Sequence, residues 1–213
     1  MREPVSTVEG VMALMPLANI NTDAIIPSVY LRTASAELGK GLFGGHRYDE
    51  AGNEKPDFVL NRAPFREAKL LLADENFGCG SSREAAVWAL LSYGIGCVLA
   101  PSFADIFYEN AFRNGLVAAI VDPATFQALK VAVEANEAAP RFRVDLAGAT
   151  VTGPDGTSRG FRIPASRVQA LMRGDDEIAV TLQHQDAIET HYAAAKGASD
   201  WLFPATLQRS AAS

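Results

Sequence analysis

The sequence predicts an α/β fold in which parallel strands and helices stack in a three-layer arrangement. Two observations carry that prediction. Between Lys69 and Glu137 short apolar runs alternate with segments of helical period, an order that leads to parallel strands joined by right-handed crossovers. Beyond Phe142 the period changes to two and glycine turns appear, which reads as a small antiparallel meander.

Taken in order, Val11 to Leu17 (VMALMPL) reads as a strand broken by Pro16. Asn19 to Pro27 (NINTDAIIP) then packs polar groups into a loop between apolar runs. By themselves Asn and Asp there are the residues of Asx-turns, with Asp23 placed to cap the segment after it. Residues 34–65 show weak periodicity and many turn residues, a long excursion of the kind that serves as a lid or a partner contact. Lys69 to Ala73 (KLLLA) is a buried strand and Arg83 to Ser92 a helix ending near Gly94. Cys97 to Ala100 is a second such strand, stopped by Pro101. Phe103 to Asn114 carries an apolar stripe at 103, 106, 107, 111 and 112 with Gly115 in the C-terminal capping place. Leu116 to Val121 is the next strand and Thr125 to Glu137 the next helix.

The meander takes in Phe142–Leu146, Ala149–Thr152 and Gly160–Pro164. Ala165 to Arg173 reads as a helix, Glu177 to Leu182 (EIAVTL) as a strand, and Asp186 to Lys196 as a helix. From about residue 197 the chain reads as an unpacked tail, with Trp201 and Phe203 as candidate partner contacts. The length, 213 residues, fits one domain spanning 1–213.

Composition narrows the function. Basic residues number 19 against 25 acidic, a net charge of −6, and no basic run is present to track phosphates, so charge disfavours a nucleic-acid ligand. No apolar run approaches the length of a membrane span, and MREPVSTVEG lacks the apolar core of a signal peptide. The expectation is a cytoplasmic protein with reduced thiols. Its two cysteines, Cys79 and Cys97, can build neither a disulfide framework nor a four-ligand metal site.

The chemistry concentrates in Asn76 to Glu84, NFGCGSSRE. A strand precedes it and a helix comes after, so backbone N–H groups at a helix start are aimed above the turn, with two hydroxyls and a guanidinium in the first turn. Locally, Ser81-Ser82-Arg83-Glu84 also satisfies a capping box. A phosphate loop is excluded because no Gly-Lys-Ser/Thr is present after the turn, and a dinucleotide fingerprint because position 83 is Arg. Neither serine satisfies a nucleophile elbow. An arginine fork matches a carboxylate. A serine in that field gains a second use, because N–H groups and Arg83 would stabilise its alkoxide as a base.

NFGCGSSRE, the adjoining WAL, APSFADIFYENAF at 100–112, NTDAIIP at 21–27 and LQHQDAI at 182–188 together resemble the swivelling small domain of the aconitase family. The match runs in order from about residue 8 to residue 206. The resemblance implies a three-layer β/β/α swivelling domain and a hydro-lyase that moves water across a 2-hydroxy dicarboxylate. Within the family the nearest likeness is to a leucine-biosynthesis isomerase, which would interconvert 2-isopropylmalate and 3-isopropylmalate through an alkene diacid. It further implies a four-iron, four-sulfur cluster held by cysteines of a large partner subunit, with none bound by this chain. Ser81 corresponds to the base that removes the α-proton, and Ser82 and Arg83 to the carboxylate binders. Thr22 and Asp23 face the same site, so the resemblance sets aside the capping role for Asp23. The loop matching Tyr30-Leu31-Arg32-Thr33 lies near the substrate's variable side chain, which makes Arg32 a specificity candidate and brings homoaconitate-type or other maleate-type acids into view. The chain departs from the family at Ala85, where histidine is common. A non-catalytic binding subunit is the contrasting reading, and Ser81, Ser82, Arg83 and Asp23 together argue against it.

Overall fold

The computed structural model describes residues 2–32 and 35–199, so Trp201, Phe203 and the predicted tail lie outside the described residues. The chain divides into two compact units, 2–174 and the segment from Asp175 onward.

The first unit is built on one seven-stranded sheet in the order β4-β3-β2-β1-β5-β6-β7. β1 spans Thr7–Met15, followed by a single helical turn, α1, Thr22–Ile25, and by α2, Gly44–Arg47. Next come β2 Ala68–Ala73, α3 Ala85–Tyr93, β3 Cys97–Ala100, α4 Asp105–Asn114, β4 Val117–Ile120 and α5 Pro123–Ala135. β5 Arg141–Asp145, β6 Thr150–Thr152, β7 Ser158–Gly160 and α6 Ala165–Arg173 complete the unit. Neighbours among β1, β2, β3 and β4 run parallel, while β5 pairs antiparallel with β1 and continues into β6 and β7. The alternating strands and helices therefore lie on one side of β1, and the antiparallel meander that the change of period predicts lies on the other. All four residues of β3 and five of the six in β2 are buried, which is what near-continuous apolar runs become when a parallel sheet is covered on both faces.

Boundaries move where tertiary contacts decide them. β1 starts at Thr7 rather than Val11, because Thr7 to Val11 finds a partner in Arg141–Asp145. The third meander strand ends at Gly160. Arg162 instead exchanges both backbone hydrogen bonds with Ile120, at 2.7 and 3.0 Å, which ties the meander to β4.

The excursion at 34–65 is held by a buried cation. Arg47, 5% exposed, donates from Nε to Asn61 Oδ1 at 3.1 Å and has the Gly39 and Leu42 carbonyls within 3.4 Å. Its guanidinium lies 5.1 Å from the ring centres of both Tyr48 and Tyr93, an arrangement that favours arginine. Asn61 donates back to the Arg47 and Lys55 carbonyls at 2.8 and 2.9 Å. None of this has a local sequence signature. Arg47→Met keeps the stem but strands these acceptors, and is expected to cost about 2–4 kcal/mol. A urea midpoint indistinguishable from wild type would contradict that.

In the second unit Glu177–Leu182, predicted as a strand, is a helix, α7, followed by α8, Gln185–Ala198. Ile, Val and Thr gave the segment its strand appearance. The start signal outweighs it: the Asp176 carboxylate accepts the Ala179 N–H at 2.8 Å, an N-cap interaction. Thr181 returns its hydroxyl to the Glu177 carbonyl at 2.8 Å, so its side chain is spent within the helix.

Candidate active site

β1 and β2 run side by side with Met15 opposite Ala73, so the loops that leave them emerge at the same carboxyl edge of the sheet. In open α/β sheets that edge is where ligands bind. The two loops remain joined after the strands end. Asn19 N–H donates to the Glu75 carbonyl at 2.9 Å, Gly78 N–H to Ile20 at 2.8 Å, and Thr22 N–H to Cys79 at 2.9 Å. Asn76 Nδ2 donates to Asn19 Oδ1 at 2.7 Å. Both asparagines sit in the left-handed region, φ 59° and 57°, which asparagine tolerates better than other residues with a side chain.

The root of the second loop is pinned by Phe77. It is fully buried and meets Phe103 and Phe107 edge-to-face at 6.2 and 5.2 Å. Gly78 comes next with φ +78°, and a Cβ there would overlap the Phe107 ring, so no other residue fits without moving the aromatic cluster. Gly80, φ +91°, completes the reversal. The chain then presents Ser81 and Ser82 to solvent.

Four of the six predicted residues converge here. Thr22, 1% exposed, places its Oγ1 2.9 Å from Ser81 Oγ and donates to the Ser81 carbonyl at 3.0 Å. Arg83 forms an ion pair with Asp23, and its N–H donates to the Ser81 carbonyl at 2.8 Å. Ser82 is exposed next to them. Arg32 ends the 3-10 segment Ser28–Arg32 and is exposed. No hydrogen bond among the described residues joins Arg32 to the cluster.

Two local expectations are corrected. The hydroxyls and Arg83 do not occupy the first turn of a helix: α3 begins at Ala85, with Glu84 in the N-cap position and no side-chain cap. The capping box is absent because both its side chains are engaged elsewhere. Ser81 Oγ faces Thr22, and Glu84 Oε1 accepts from Asn114 Nδ2 at 2.7 Å. Asn114 also accepts from Trp88 Nε1 at 2.9 Å, which binds the start of α3 to the end of α4. The cap of α1 is Asn21, whose Oδ1 accepts the Ala24 N–H at 2.8 Å, leaving Asp23 free to hold Arg83.

The sequence reading missed Asn19, Asn76 and Asn114. For the first two a signal existed, an asparagine shortly after an apolar strand, where a left-handed turn is commonly needed. Asn114 is 30 positions from Glu84, beyond any local pattern.

Of the two cysteines, one is closed off from an iron–sulfur cluster. Cys97 is fully buried in β3, and burial pushes its thiol well above the ordinary range. Cys79 remains, with its Sγ 3.4 Å from the Asn19 carbonyl oxygen. Among the described residues no group of three His, Cys, Asp or Glu side chains could hold a metal ion. Among them, too, no helix is long and apolar enough to cross a membrane.

Comparison with known proteins identifies the family. Residues 2–122 match the family model of the aconitase C-terminal domain. The chain is 44% identical over 201 residues to the 3-isopropylmalate dehydratase small subunit of Dinoroseobacter shibae, covering 94% of this chain and 100% of that one. It is 45% identical over 202 residues to the protein of the same name from Paramagnetospirillum magneticum, with the same coverage. The crystal structure of a 3-isopropylmalate dehydratase from Methanocaldococcus jannaschii superposes with a TM-score of 0.62 at 26% identity, covering 87% of this chain and 99% of that one. The fold is the α/β swivelling domain that the motifs implied, and the chain belongs to the aconitase C-terminal domain family, among the small subunits of 3-isopropylmalate dehydratase.

Proposed function

We propose that this chain is the proton-transferring and carboxylate-binding half of a hydro-lyase that isomerises 2-isopropylmalate and 3-isopropylmalate in leucine biosynthesis. The observation that carries the proposal is an exposed serine hydroxyl held 2.9 Å from a buried threonine, beside an arginine oriented by an aspartate. Ser81 takes the proton from the substrate carbon in dehydration and returns it in hydration. Arg83 has five N–H donors in a fork. The Asp23 bond engages only part of that fork, so donors remain for a substrate carboxylate, with Ser82 as a further donor. Arg32 would act on the variable side chain of the substrate.

The family's four-iron, four-sulfur cluster would be held by three cysteines of the large partner subunit, because the two cysteines of this chain are too few. When bound there, it supplies a Lewis acid for the departing hydroxyl. On this reading residues 1–213 work as one swivelling domain, and the chain has no activity alone.

Reconstitution with the cognate large subunit and its assembled cluster tests the proposal. Hydration of isopropylmaleate is expected to exceed that of citraconate, dimethylmaleate and cis-homoaconitate. Preference for another of these acids would reassign the substrate, and no turnover of any would remove the catalytic reading.

A further inference from the structure

The Thr22 hydroxyl has one proton and two oxygen neighbours within hydrogen-bond range: the Ser81 carbonyl at 3.0 Å and Ser81 Oγ at 2.9 Å. A carbonyl only accepts. While Thr22 donates to it, the 2.9 Å contact requires neutral Ser81 to donate its own proton to Thr22. Once Ser81 is an alkoxide that assignment is impossible, because two acceptors would then face each other.

We propose that Thr22 is a positioning residue that stabilises the Ser81 alkoxide by turning its hydroxyl proton from the Ser81 carbonyl to Ser81 Oγ. This rests on Ser81 being the base, as proposed above. The turn is a rotation about Cβ–Oγ1, so no heavy atom moves and no proton passes between the residues. The alkoxide forms when Ser81 releases its proton to solvent. When it then takes the substrate's proton, the C–H bond breaks, an O–H bond forms on Ser81, and the electron pair of the C–H bond becomes the alkene bond as the neighbouring C–O bond breaks and its pair departs with the hydroxyl. Ser81 then donates to Thr22 again and the Thr22 proton returns to the carbonyl.

Three features make the exchange inexpensive. The Ser81 carbonyl keeps a second donor, the Arg83 N–H at 2.8 Å, so it is not stranded when Thr22 turns away. Thr22 is held in place by its own N–H on the Cys79 carbonyl at 2.9 Å and by its carbonyl receiving the Ile26 N–H at 3.0 Å. At 1% exposure its hydroxyl is also shielded from competing water. A hydrogen bond to a charged oxygen in such a place is stronger than one between neutral groups.

The test uses the reconstituted two-subunit enzyme. Thr22→Val removes the hydroxyl at nearly constant shape, and Thr22→Ala does so without a methyl that could press on Ser81. Both are expected to lower kcat roughly 10- to 100-fold, the worth of one charge-assisted hydrogen bond. KM should change little, and the rising limb of kcat against pH should move to higher pH, since a less stabilised alkoxide forms later. Thr22→Ser should recover most of kcat and the wild-type limb. An unchanged pH limb, a loss confined to KM, or a serine variant no better than alanine would overturn the inference. Wild-type enzyme without turnover would instead overturn the functional reading on which it rests.

Discussion

Ser81→Ala is expected to reduce kcat of the assembled enzyme on the order of 10³-fold while leaving KM within a small factor of wild type. General-base catalysis supplies rate in that range, and loss of the base affects the transition state without removing the carboxylate contacts. The structure separates this effect from stability. Ser81 is exposed, and after the change Thr22 still donates to the residue-81 carbonyl, as does the Arg83 N–H. The loop should therefore keep its course and the melting temperature should barely change. Comparable loss of kcat and thermal stability would mean that the serine organises the loop rather than reacts. Retained activity would put the base elsewhere.

Arg83→Lys should weaken the enzyme differently, raising KM and lowering kcat together for a combined loss in kcat/KM of about 10²-fold. An ammonium keeps the charge but not the planar fork, so it cannot hold Asp23 and a substrate carboxylate in fixed directions at once. The Arg83 side chain is 26% exposed and that of Asp23 58%. Water screens this pair, so its contribution to stability is small and its value lies in aiming the guanidinium. Binding of an unreactive dicarboxylate, measured by calorimetry, should weaken in Arg83→Lys and stay intact in Ser81→Ala. Equal binding in both variants would take Arg83 out of the carboxylate site.

How much of this was legible beforehand varied with the range of the interactions. β2, β3, β4 and their helices follow from apolar runs and turn residues, signals carried within about a dozen positions. α7 was misread because Ile178, Val180 and Thr181 suggest a strand, while the deciding bond is one Asp176 carboxylate on one N–H. Residues 34–65 had no legible order because Arg47 and Asn61, 14 positions apart, supply it. The capping box was locally sound and lost to partners 59 and 30 positions away.

By itself the sequence determined the α/β class and the NFGCGSSRE turn, because strand burial, glycine turns and hydroxyl–guanidinium clusters are written in adjacent residues; the link from that turn to NTD came only through the family resemblance. Tertiary structure alone decided that Thr22 lies buried beneath Ser81 and that Asp23 engages Arg83. Those contacts exist because two loops leave neighbouring parallel strands at the same level, and sheet register brings together residues about 60 positions apart that no local pattern relates.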